Sequence, residues 1–165
     1  MSSIVKWFTE NLSNISPLAV VFIISMIPIL ELRGGLLAAS LLKIPIMKAI
    51  PICILGNIIP IPFILLFINQ IFKFMKEKNI LRGFVEKLEN RAMRKSDNIQ
   101  KYEFVGLLLF VGIPLPGTGG WTGSLIASLL KIDIKKSSIA IFCGLIMATV
   151  IMSIVSYGLL GALVN

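Results

Sequence analysis

The chain has 165 residues, 56% hydrophobic and 15% charged, with sixteen Lys and Arg against eight Asp and Glu and a net charge of +8. An ordinary soluble domain carries about 25% charged residues. This composition, with a mean hydropathy of +0.93, points instead to a single integral membrane domain, 1–165, whose positive charge meets anionic lipid headgroups rather than nucleic acid. The absence of histidine removes the commonest general base and metal ligand. No metal-ligand cluster or nucleophile–base pair is visible, so no enzyme, metal or cofactor is expected.

In chain order, Met1–Ile15 places Ile4, Trp7, Phe8, Leu12 and Ile15 at helical spacing and lacks a small-residue cleavage site. It reads as a short interfacial helix with Trp7 at headgroup level, not as a cleaved signal. Residues 17–72 read as half-helix Pro17–Ile27, break Pro28–Arg33, half-helix Gly34–Leu42, basic loop Lys43–Lys48 and transmembrane helix Ala49–Phe72. The last is uncharged and long enough to span a bilayer, with a kink predicted at Pro60 and Pro62.

Composition then changes abruptly. Over 73–103 nine Lys and Arg face five acids, while Leu81, Phe84, Val85, Leu88 and Ala92 keep helical spacing. This predicts an amphipathic linker helix on the cytoplasmic membrane surface, held by apolar contact and anionic lipid. The same bases also suit a funnel for an anionic substrate.

No charge occurs from Phe104 to Leu130, and at the centre of that run stands Ile113–Trp121, I-P-L-P-G-T-G-G-W. Two prolines and three glycines cannot continue a helix. The flanks, Phe104–Gly112 and Trp121–Leu130, each span about 15 Å, half of a roughly 30 Å hydrocarbon core. Two half-helices meeting near the bilayer midplane are predicted. Irregular backbone at that depth needs cover from protein or a water-filled cavity, which makes the break a site candidate. The loop Lys131–Lys136 and the uncharged span Ser137–Val164 complete the chain. Cys53 and Cys143 lie inside apolar runs and read as buried small hydrophobes rather than a disulfide.

The chain repeats itself. A-S-L-L-K-I occurs at Ala39–Ile44 and again at Ala127–Ile132, offset 88, with Gly35, Ile46, Lys48 and Gly56 matched by Gly123, Ile134, Lys136 and Gly144. Ile27-Pro28 matches Ile113-Pro114 at offset 86, so the two-residue difference falls inside the break. Repeat one is 17–72 and repeat two 104–165. If each half-helix pair is a re-entrant hairpin, each repeat crosses once and the second is inverted. If each pair crosses, the repeats are parallel. The hairpin arrangement gathers twelve of the sixteen basic residues on one side and is preferred. Broken helices at the meeting of inverted repeats are a recurrent transporter plan.

Two charges lie in a break, Glu31 and Arg33. Each costs about 2.5–3.5 kcal/mol near the bilayer centre. The bland reading is that they neutralise each other or that the break is wet. The functional reading makes Arg33 an anion clamp and Glu31 a proton-exchanging carboxylate. Gly117, Thr118, Gly119, Gly120, Trp121 and Thr122 stand at a helix start with free amides and positive dipole, and Gly34 and Gly35 at another. Gly123 and Ala127, with Gly35 and Ala39, read as close helix packing. Trp121 divides between belt residue and site lining. Asn57 reads as a helix–helix hydrogen bond with the site in reach.

The segments I-P-I-L-E-L-R-G-G, L-G-N-I-I-P-I-P-F-I-L-L-F, A-M-R-K-S and I-P-L-P-G-T-G-G-W-T-G-S-L-I-A-S-L-L resemble the putative small multi-drug export protein family over nearly the whole chain. That family is similar in plan to DedA-like (VTT-domain) membrane proteins, which have two inverted re-entrant hairpins and include lipid scramblases and carriers of undecaprenyl phosphate. The resemblance implies that Glu31, Arg33 and Gly117–Gly120 belong to the two re-entrant motifs.

The expected protein is therefore an all-α homo-oligomer in a prokaryotic cytoplasmic membrane. It moves an amphiphilic anion such as a polyprenyl phosphate, coupled to protons. Export of cationic amphiphilic drugs by proton antiport through Glu31 and a non-transporting scaffold remain alternatives.

Overall fold

The computed structural model describes residues 16–80, 82–94 and 102–159, apart from the side chains of Arg91, Ala92 and Leu159. The interfacial helix expected at Met1–Ile15, Leu81, residues 95–101 of the linker and the last residues of the final span lie outside the described residues. The helices are α1 (Pro17–Met26), α2 (Glu31–Leu41), α3 (Ile46–Ile58), α4 (Pro60–Glu77), α5 (Arg82–Met93), α6 (Glu103–Gly112), α7 (Gly120–Leu129) and α8 (Ile134–Ser153). A π-helical turn, Ile154–Leu159, continues α8. There is no strand among the described residues.

Two helical stretches are long and apolar enough to cross a membrane, Ile46–Glu77 with mean hydropathy 2.3 and Ile134–Gly158 with 2.5. The first joins α3 to α4. Pro60 has no N–H to bond back, so the ladder is interrupted at Ile59, where the prolines predict it, while the backbone stays right-handed helical at φ −53° and ψ −47°. α8 begins at Asp133, whose Oδ1 accepts from the Lys136 amide at 2.9 Å, an ordinary N-cap.

The repeated hexapeptide is a helix stop. Ile44 N donates to Ala39 O at 2.9 Å and Ile132 N to Ala127 O at 3.0 Å, the six-to-one bond of a Schellman ending. Lys43 and Lys131 hold the left-handed position at φ 55° and 54°. The matched glycines do matched work. A Cβ on Gly56 would press on Phe22 O at 2.7 Å and Ser25 Cβ at 2.9 Å, and one on Gly144 on Leu108 O at 2.7 Å and Val111 Cβ at 2.8 Å. So α3 lies against α1 as α8 lies against α6, through glycines 88 apart and partners 86 apart.

The halves also interlock. Ile61 and Leu65 of repeat one pack with Leu107, Val111, Ile126 and Ile141 of repeat two. Ala148 and Met152 of repeat two pack with Val21, Leu32, Leu36 and Cys53 of repeat one. The serines of the two hexapeptides cross over too. Ser40 Oγ donates to Ser156 O at 2.6 Å, and Ser128 Oγ donates to Leu65 O at 3.4 Å.

Three expectations change. The second half-helix of repeat one starts at Glu31 rather than Gly34, because the turn after Ile27 already bonds helically, with Glu31 N on Ile27 O at 2.8 Å. Cys143 is exposed on the outer face of α8, and only Cys53 is buried; both thiols are free. The linker charge is split, with Lys73 and Lys76 on the end of α4 and a separate α5 beyond. In α5 Val85 is fully buried while Phe84 faces outward. Arg82 lies 2.8 Å from Glu86 and holds that carboxyl below the usual carboxylate range. Lys76 also pairs with Glu89.

Candidate functional site

Each charge of the first break serves the backbone of the second. Glu31 takes a positive φ of 50°, a conformation that a side chain other than glycine adopts only at a cost. There its carboxylate reaches the start of α7. Gly120 N donates to Oε2 at 2.9 Å and Trp121 N to Oε1 at 3.2 Å. A helix start has amides without intrahelical partners and a positive end, and Glu31, 4% exposed, answers both.

Two residues on, the helix has turned and Arg33 faces the other end of the break. Its Nη1 donates to Leu115 O at 2.5 Å. Its Nη2 lies 2.9 Å from Thr118 Oγ1, 3.3 Å from Ile113 O and 3.5 Å from Val111 O. Val111 lies in the last turn of α6, and Ile113 and Leu115 in the loop after it, where their carbonyls also accept from Leu115 N and Thr118 N. Thr118 ties the loop together, with Oγ1 3.0 Å from Ile113 O and 2.8 Å from Leu115 O. Glu31 and Arg33 are not among the direct ion pairs of the described residues, though each lies within the other's field.

Repeat two returns the contact. Trp121 stands 88 residues after Arg33, and its Nε1 donates to Met26 O at 3.2 Å, at the end of α1. Gly119 stands 88 after Glu31 and shares its positive φ, at 133°. A Cβ there would fall on Glu31 Oε2. One repeat supplies the carboxylate and the other leaves the space for it. Asn57, fully buried on α3, is a neighbour of the Glu31 carboxylate. It lies so near α7 that a Cβ on Gly120 would stand 2.6 Å from its Oδ1. Its Nδ2 lies toward the Glu31 carboxylate, and its Oδ1 meets no hydrogen-bond donor.

Several expected site residues fall elsewhere. Gly34 and Gly35 offer no free helix start, since Gly34 N donates to Leu30 O at 2.7 Å inside α2. Gly35 is a packing position where a Cβ would meet Ser25 and Cys53. The amides of Gly120 and Trp121 are not empty but hold Glu31. Thr122 is half-buried and takes no part in these bonds, and Gly117, at φ 75°, is an exposed turn residue. The carbonyls of Met26, Val111, Ile113 and Leu115 and the side chain of Met152 were not anticipated. Carbonyls carry no residue signature, but the match of Arg33 with Trp121, both donors, was available in the offset.

A cleft of about 320 Å³ opens between the breaks, lined by Ile29, Leu30, Leu37, Pro114, Leu115 and Met152 around Glu31, Arg33 and Thr118. No group of three or more metal-ligating side chains occurs among the described residues.

A small helical membrane protein, with two long apolar helices and a polar crossing buried between two helix breaks, is the class this architecture defines. The chain belongs to the putative small multi-drug export protein family, whose model matches residues 31–151, from Glu31 through the second break and into α8. No curated protein and no solved structure matches it. The family is described by export and not by a reaction.

Proposed function

We propose that the chain is a transporter of amphiphilic anions of the polyprenyl-phosphate kind, with Arg33 receiving the headgroup and Glu31 exchanging a proton. Arg33 is the observation that carries this reading. Its guanidinium fronts a cleft with apolar walls, and the carboxylate lies buried behind it. A headgroup entering there meets positive charge first, and its tail meets isoleucine, leucine and proline. Thr118 and the start of α7 stand next in line.

The membrane arrangement belongs to the same proposal. Both half-helix pairs are re-entrant hairpins, the second repeat is inverted, and α5 lies on the cytoplasmic surface with its bases toward anionic lipid. Support for a two-fold relation between the repeats comes from the crossed contacts of equivalent positions, 33 with 121 and 40 with 128, and the inverted sense rests on the distribution of basic residues. Likeness in plan to DedA-like proteins, and a homo-oligomer covering the thin midplane cavity, are part of it.

A second reading has its own support. Four oxygens, on Val111, Ile113, Leu115 and Thr118, already hold a guanidinium, and the family is named for drug export. A cationic amphiphile exchanging with protons at Glu31 uses the same groups. Liposomes carrying the chain and an imposed pH gradient separate the two. The anion reading expects movement of a fluorescent polyprenyl phosphate, lost in Arg33→Ala, and no movement of ethidium. Ethidium transport that survives Arg33→Ala and disappears in Glu31→Gln would overturn it.

A further inference from the structure

We propose that the start of α7 is an anion site in which Glu31 is the resident competitor, so that a bound anion and the Glu31 carboxylate exclude one another. This rests on the anion reading above and supplies its coupling. The first support is occupancy: two amides at the positive end of a ten-residue helix hold a carboxylate that belongs to a different repeat. The second is Asn57, wholly buried beside them, with its Nδ2 toward the Glu31 carboxylate and its Oδ1 without a donor. Buried polar groups are nearly always paired, and an unpaired amide oxygen next to a carboxylate is a vacant acceptor for a second arrangement. The third is Glu31's backbone at φ 50°, which holds the side chain on the amides against a local preference.

The exchange follows from donor and acceptor chemistry. Glu31 takes a proton from water in the cleft onto a carboxyl oxygen. A neutral carboxyl holds two N–H groups less strongly than a carboxylate does, and it gains an O–H that Asn57 Oδ1 can accept. The amides of Gly120 and Trp121 then receive an oxygen of the incoming headgroup, and Arg33 trades a carbonyl for another. When the headgroup leaves, Glu31 returns its proton to water and resumes its place. Each monoanion thus travels with one proton. Arg33 is the charged group whose field reaches Glu31. From α3 and α7 the neighbours facing it are Asn57, Gly120 and Trp121, and α1 carries no titratable side chain. The Cys53 thiol lies a turn away against Gly35, and from beyond α8 Tyr157 is tied to Ile44 O.

The test uses the full chain in phosphatidylcholine nanodiscs with Trp7→Phe, so that Trp121 is the only indole. The probe is farnesyl methyl phosphate, a diester whose charge is constant between pH 5.5 and 8, titrated by Trp121 fluorescence. The wild-type site is expected to bind more tightly at pH 5.5 than at 8. Glu31→Gln is expected to bind about tenfold or more tighter at pH 8 and equally at both pH values, since a charge-assisted competitor is gone. Asn57→Leu should lose the gain at low pH. If Glu31→Gln does not fold, Glu31→Gly, which copies repeat two at this position and relieves the positive φ, is read in the same way. Wild-type binding lost in Arg33→Ala, but neither tightened nor freed of pH dependence by the Glu31 variants, overturns the competition and leaves the anion reading standing. Binding of dodecyltrimethylammonium with none of the diester by any variant removes both.

Discussion

Replacing Gly119 with alanine puts a methyl group where the Glu31 carboxylate now sits. The carboxylate must leave the amides of Gly120 and Trp121, two charge-assisted bonds worth about 1.5–3 kcal/mol each. Alanine must also accept φ 133° and ψ −173°, which costs about 1–3 kcal/mol. Even the low ends give about 4 kcal/mol, or a fall in Tm of about 10 °C for a chain of this size. Thermal unfolding in detergent measures it, and a double-mutant cycle with Glu31→Gly isolates the contact. With no carboxylate to displace, Gly119→Ala should cost only its backbone share, so the cycle should close with a coupling of about 3 kcal/mol. Costs that add to within about 0.5 kcal/mol would show that Gly119 and Glu31 do not meet, and the crossing between repeats would fall with them.

Gly56→Ala and Gly144→Ala press a methyl on backbone oxygen that cannot step aside, and each should cost about 1–3 kcal/mol by the same unfolding assay. Gly83→Ala, with nothing within 4 Å, should instead stabilise α5 by about 0.5–1 kcal/mol. Ser40→Ala and Ser128→Ala should each lower stability by about 1 kcal/mol, since each removes one hydroxyl donor between repeats. Arg82 keeps the Glu86 carboxyl below its ordinary range, so the pair's support of α5 is intact at neutral pH and is lost as pH falls through that depressed value. Lower amide-exchange protection in 82–93 on acidification, after correction for the intrinsic pH dependence of exchange and absent in Glu86→Gln, would register it.

Much of this architecture is legible in the residues because it is local. The prolines and glycines of Ile113–Trp121 cannot propagate a helix, and the observed break, Ile113–Gly119, falls within one residue of the expected one. The repeated hexapeptide marks two identical helix stops. What could not be read is which break each charge serves. Glu31 and Gly120 are 89 residues apart, and nothing in P-I-L-E-L-R-G-G says that its acid caps a helix in the other repeat. The glycines Gly34 and Gly35 suggest a helix start, but a glutamate in the left-handed conformation opens α2 three residues earlier. The same helical turn sends Arg33 to the carbonyls of the second break rather than to an empty clamp.

The reach of Glu31 has a consequence for biogenesis. At about 5–20 residues per second on the ribosome, Gly120 is made about 4–18 s after Glu31. Through that interval the nascent first repeat carries an acid whose partners have not yet been synthesised, and Met26 waits as long for the indole that will cap it. Until the second repeat is made, the acid and the Met26 carbonyl stand without the partners that hold them in the folded chain.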